Sequence, residues 1–141
     1  MLKLLAIIIL SIFALVTTAY AGATHSNDLA HKINDLRKKH NVRQLNINKK
    51  VTKVAQHRAE KLVKIQKLKH NPNLWDQLPP STAVGEIISK ASTWRGGYQS
   101  FKHSPEHRAI MLSKTFRQEG VGLARDSHGI LWVVVVFRRP A

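Results

Sequence analysis

The chain has 141 residues, a formal charge of +15 and no cysteine. Its length predicts one domain, and the lack of cysteine excludes thiol catalysis, thiolate metal sites and disulfide staples, a pattern that fits a bacterial origin. Between Lys32 and Lys69 there are thirteen Lys and Arg but only two acids, Asp35 and Glu60; such a field draws a protein toward anionic lipid, cell-wall polymer or nucleic acid.

Met1-Leu2-Lys3, the apolar run Leu4 to Val16 and the small-residue ending Ala19-Tyr20-Ala21 predict a signal peptide over 1–21. The run is short for a membrane anchor, which needs about 20 residues. The mature part, 22–141, is expected to be a secreted protein, extracellular or periplasmic, with no membrane-spanning segment. A monomer is expected.

In chain order, Ser26-Asn27-Asp28 precedes Leu29, Ile33 and Leu36 at i, i+4, i+7, so a capped helix is predicted over 27–40. Residues 41–48 form a connection with Leu45 and Ile47 directed inward. A second helix is predicted over 48–68, with Val51, Ala55, Ala59 and Leu62 on one face and Lys50, Lys53, Lys61 and Lys64 on the other. That basic face is a candidate anion-binding surface.

Residues 71–81, with three prolines and two asparagines, read as a loop. A short strand is predicted over 84–89 and a short helix over 93–102. Ser104-Pro105-Glu106 opens a further helix reaching Lys114, with Ser104 as N-cap and Pro105 at the first helical position. Strands 121–125 and 130–137 flank the turn Asp126-Ser127-His128-Gly129 and form a hairpin. The apolar run in the last strand implies burial on both faces. The predicted fold class is α+β, a three-layer α-β-α sandwich with a small, mostly antiparallel sheet.

Three residues are candidates for chemistry. His70 follows the second helix, Glu86 sits among apolar neighbours, and His107 falls in the first turn of its helix, where the helix dipole favours neutral imidazole. Two histidines and a carboxylate are the donor types of a divalent-metal site or an acid/base cluster. His103 and His107 are excluded as a metal pair because Pro105 breaks the helix between them. Neither a Gly-rich phosphate loop nor a Gly-x-Ser-x-Gly elbow is present. Ser104 next to His107 could suggest a nucleophile, but as N-cap its oxygen is expected to be occupied by backbone N–H groups.

The order of these pieces resembles the cysteine-rich secretory protein/antigen 5/pathogenesis-related (CAP) superfamily over about 28–137. Ile33-Asn34-Asp35-Leu36-Arg37 looks like the family's opening helix, and Val54-Ala55-Gln56-His57-Arg58-Ala59 like the core of its second. His70 matches the histidine that follows. Gly85-Glu86-Ile87-Ile88 is similar to Gly-Glu-Asn-Ile, and Phe101 to Arg108 to the bacterial Trp-x-x-Ser-Pro-x-His-Arg. Gly120-Val121-Gly122 and Trp132-Val133-Val134 are similar to the last two strands.

The resemblance implies a cavity lined by His70, Glu86 and His107, which in some members holds a divalent metal such as zinc. The second acid of longer eukaryotic members would fall near Ser104, here not acidic. Ile87 stands for the usual Asn and Phe101 for the usual Trp. The function it implies is binding of an anionic or lipidic ligand at the cell envelope or outside the cell, through anionic lipid or cell-wall polymer. The alternative is a metal-dependent hydrolase with His70 and His107 as ligands and Glu86 as base. A nucleic-acid partner is disfavoured by the export signal and by the lack of basic-aromatic alternation.

Overall fold

The computed structural model describes residues 25–141, so the predicted signal peptide lies outside the described residues. Residues 25–39 form helix α1. There follow β1 (Asn46–Ile47), α2 (Lys49–Ile65), α3 (Leu74–Gln77), β2 (Ser81–Ala91), α4 (Trp94–His103), α5 (Pro105–Met111), β3 (Gln118–Arg125) and β4 (Leu131–Pro140). The sheet order is β1-β3-β4-β2. β1 runs parallel to β3, while β3–β4 and β4–β2 are antiparallel, so the sheet is mixed.

β4 is central and buried from Leu131 to Arg138. Its side chains alternate between two cores, as a strand's period of two requires. Leu131, Val133, Val135 and Phe137 pack with Leu29, Ile33 and Phe101 of the α1/α4/α5 layer. Trp132, Val134 and Val136 pack with Val51, Ala55 and Leu62 of α2. The result is the three-layer arrangement.

α1 carries the apolar stripe foreseen, but residue 25 is already helical, so Ser26 lies inside the helix rather than capping it. Two polar residues of α1 lock the connection that follows. Asn34 exchanges two hydrogen bonds with the backbone of Leu45, at 2.9 and 2.7 Å. Arg37, fully buried, donates to the carbonyls of Arg43, Met111 and Ser113 at 2.7, 2.7 and 2.9 Å. Leu45 is buried, but Ile47 is 39% exposed, contrary to expectation. β1 is a two-residue strand at the edge of the sheet, and both of its side chains are exposed.

α2 begins at an Asn48 cap that accepts from the backbone N–H groups of Lys50 and Val51. It ends three residues earlier than predicted. Gln66 turns left-handed at φ 51°, and its N–H closes on the Leu62 carbonyl. Within the predicted loop 71–81, Leu74–Gln77 makes a single helical turn whose Leu74 is buried. α5 stops at Met111 rather than Lys114, because the chain there becomes the acceptor for Arg37. The edge of β3 beyond β1 is capped by Gln56 of α2. Its amide donates to the Leu123 carbonyl at 2.9 Å and accepts the Leu123 N–H at 3.0 Å, protecting an otherwise open edge.

Candidate functional site

Glu86 lies in β2, opposite Val136 of β4, and is 7% exposed. It shares the sheet face of Ile88, the face that meets α2. A carboxylate there requires partners, and it has three. The His70 Nδ1 is 2.9 Å from its Oε1, and the Asn71 backbone N–H donates to the same oxygen at 2.9 Å. The guanidinium Nε of Arg58 stands 3.9 Å from its Oε2, both side chains being buried.

Arg58 was not foreseen as a site residue. Its signal in the sequence is positional: it lies three residues after Ala55 and four before Leu62, which places a cation on the apolar face of α2. It reconciles charge and burial by donating to the Lys69 carbonyl and facing Glu86. The bond to Lys69 also fixes the chain just before His70, which is itself exposed.

His107 approaches from the other layer. It is half-buried in α5, its ring edge-on to Phe101 at 5.3 Å between centroids, and its Nδ1 is hydrogen-bonded to no protein atom. Burial holds its pKa below the usual histidine value, and the charge of His70 lowers it further. The two imidazoles therefore feel one another. β2 is the edge strand on the His70 side, and His107 does not line the cleft beside Glu86.

Ser104 ends α4 and precedes α5, and its N–H bonds the carbonyls of Ser100 and Phe101. Its side chain makes no capping hydrogen bond, contrary to expectation. It is already committed, through its backbone, to closing α4. Phe101 is fully buried and serves as the wall for the His107 ring, and Ile87 is fully buried in the core.

Beside Glu86 is an open cleft of about 440 Å³, lined by His70, Asn71, Pro72, Leu74, Trp75 and Val84. Trp75 is 52% exposed and gives the cleft an aromatic wall that sequence reasoning missed.

The set does not fit a divalent metal. The His70 nitrogen nearest Glu86 is engaged with that carboxylate, and the far carboxylate oxygen faces a guanidinium, which would repel a cation. Among the described residues, no three of His, Asp and Glu are grouped so as to hold one ion.

The basic face of α2 lies elsewhere. Lys50, Lys53, Lys61 and Lys64 are exposed, while Val51, Ala55, Ala59 and Leu62 are fully buried. Lys50, Lys53 and His57 also line a groove of about 560 Å³ with Val54, Leu78 and Pro79.

The sequence model of the cysteine-rich secretory protein (CAP) family matches residues 30–137. The chain belongs to the CAP family. Solved structures agree on the CAP fold. An outer surface protein from Borrelia burgdorferi is 21% identical with a TM-score of 0.77, over 84% of this chain and 94% of that one. An extracellular protein containing an SCP domain from Bacillus anthracis is 21% identical with a TM-score of 0.76, over 84% of this chain but only 41% of that one. A venom allergen-like protein of Schistosoma mansoni is 14% identical with a TM-score of 0.66, over 85% and 88%. No curated protein sequence matches the chain. Among the described residues no helix is long and apolar enough to cross a membrane.

Proposed function

We propose that this CAP-domain protein is exported by a signal peptide at residues 1–21 and acts by binding, at the cell envelope or outside the cell. Its ligand is an anionic surface, lipid or cell-wall polymer, met by the basic face of α2. One observation carries this reading. Four lysines of α2 project into solvent from a helix whose opposite face is fully buried, and the helix holds one acid, Glu60, against five lysines. The positive field is thus not cancelled by the helix itself. The descriptions of the Borrelia burgdorferi protein as an outer surface protein and of the Bacillus anthracis protein as extracellular agree with export.

The cleft beside His70 and Glu86, polar with an aromatic wall at Trp75, is the second element of this reading, with His107 reaching it electrostatically from the other layer. The hydrolase alternative asks His70 and His107 to ligate a metal and Glu86 to act as base. The engagement of Glu86 with His70, Asn71 and Arg58 favours a binding role over that chemistry.

The test is binding to anionic vesicles and to teichoic-acid-type polymer across a salt series. Screening length falls from about 30 Å at 0.01 M to about 8 Å at physiological ionic strength, so binding should weaken steeply. Replacing Lys50, Lys53, Lys61 and Lys64 with Gln should remove most of it and leave folding intact, since exposed substitutions cost within about 0.5 kcal/mol. Salt-independent binding, or full binding by the four-Gln variant, refutes the reading.

A further inference from the structure

Three of the exposed large apolar side chains are Ile65, Leu68 and Ile130, at 42%, 45% and 37% exposure. They lie on two turns that the structure ties together. Gln66, the left-handed residue ending α2, donates from its side chain to the Val63 carbonyl at 2.6 Å and to the Asp126 carboxylate at 3.4 Å. Asp126 in turn accepts the Ile130 N–H at 3.0 Å, and its own N–H bonds the Ile130 carbonyl at 2.9 Å. On the other side of Leu68, Arg58 holds the Lys69 carbonyl against α2. Leu68 therefore sits on a short segment pinned at both ends.

The charge around this tip is predominantly positive. Lys61, Lys64, Lys67 and Lys69 alternate with Leu62, Ile65 and Leu68 along the chain and are exposed. The nearby acid, Asp126, is buried, and its two oxygens accept from His128, Ile130, Trp132 and Gln66. Its single negative charge, turned inward onto these donors, is outweighed by the four exposed lysines.

We infer that the joined turns at the end of α2 form a membrane-docking tip, in which Ile65, Leu68 and Ile130 enter the interface of an anionic bilayer while Lys61, Lys64, Lys67 and Lys69 meet lipid phosphates. This rests on the reading of a basic, envelope-binding protein and narrows it to a lipid surface. Scattered exposed apolar residues are ordinary. Here they interleave with lysines on a rigid turn, and lysine's aliphatic stem lets its ammonium reach the headgroups while its neighbours descend. Each cation near an anionic leaflet adds attraction. An anionic polymer would use the lysines and has no site for the isoleucines and leucine.

The chain has no cysteine, so Leu68→Cys accepts a single environment-sensitive fluorophore, with Lys102→Cys on α4, across the sheet, as the control. Vesicles of phosphatidylcholine with phosphatidylglycerol should shift the label at 68 to the blue and leave that at 102 unchanged; pure phosphatidylcholine should shift neither. The Ile65→Ser/Leu68→Ser double variant, checked for an unchanged melting curve, should partition about tenfold more weakly onto anionic vesicles and bind teichoic acid as before. Vesicle binding within about twofold of the parent, or an unshifted label at 68 on bound protein, overturns the tip while the charge reading stands. Loss in the double variant but not in the four-Gln variant overturns the charge reading and, since Lys61 and Lys64 belong to the tip, the tip as proposed. Polymer binding with no vesicle binding overturns the tip alone; binding to neither overturns both.

Discussion

Gly122 of β3 and Ala55 of α2 are in backbone contact: a β-carbon on Gly122 would stand 2.2 Å from the carbonyl carbon and oxygen of Ala55. Gly120 makes the same approach to Thr52, at 2.2 Å from its nitrogen. This is the physical content of Gly120-Val121-Gly122: α2 lies directly on the strand, and no side chain fits between. Gly122→Ala should push the helix off the sheet and cost about 2–3 kcal/mol. Thermal or denaturant unfolding measures it, and an unchanged midpoint would contradict the contact.

Glu119, fully buried in β3, has neither carboxylate oxygen hydrogen-bonded to another protein atom. Burial pushes its pKa well above the usual glutamate value, against a smaller opposing effect of Arg37. A raised folded-state pKa contributes stability that is fully present below the unfolded value, about 4.3, and is lost as pH rises toward the folded value. Glu119→Gln mimics the protonated form and escapes that loss. The melting temperature of the variant should therefore overtake that of the parent progressively as pH rises above about 4.3. A pH-independent difference would show that Glu119 titrates normally.

Asp126 shows the opposite sign. The indole N–H of Trp132 donates to it at 2.9 Å, and the backbone N–H groups of His128 and Ile130 at 2.9 and 3.0 Å. These bonds, that of Trp132 foremost, lower its pKa to about 2. Its contribution is present above the unfolded value of about 3.9 and is lost as pH falls from there toward 2. Asp126→Asn should lower the melting temperature at neutral pH, and the gap from the parent should close on acidification across that window. A gap that persists at the acid end would assign the loss to packing.

The residues readable from sequence are those whose environment is set by periodicity. The stripe Val51, Ala55, Ala59, Leu62 and the run Leu131 to Phe137 predicted their own burial. Charges buried through distant partners escape such reasoning. Arg37 is satisfied by carbonyls 74 and 76 positions away, and Arg58 by Lys69 and Glu86. No local pattern announces those partners. The pairing of His70 with Glu86 was suggested by resemblance alone, since spacing could not choose among eight histidines. Ile47 was misjudged because alternation identifies a strand's faces but not whether a neighbour covers them.

His70 and His107 provide the sharpest test of the cavity, because each can report on the other. Burial is the larger cause of the lowered His107 pKa, and the charge of His70 the next. In an NMR titration, His107 should stay neutral to a lower pH than an ordinary histidine, about 6.5. In the His70→Ala variant its midpoint should rise, since a like charge is removed, yet remain below the ordinary value because burial persists. A depressed folded-state pKa means that His107 contributes stability above about 6.5 that is lost as pH falls toward the folded value; His70→Ala should therefore soften acid destabilisation in that window. If the His107 midpoint is the same with and without His70, the two rings do not share a cleft, and the cavity reduces to the His70–Glu86 pair alone.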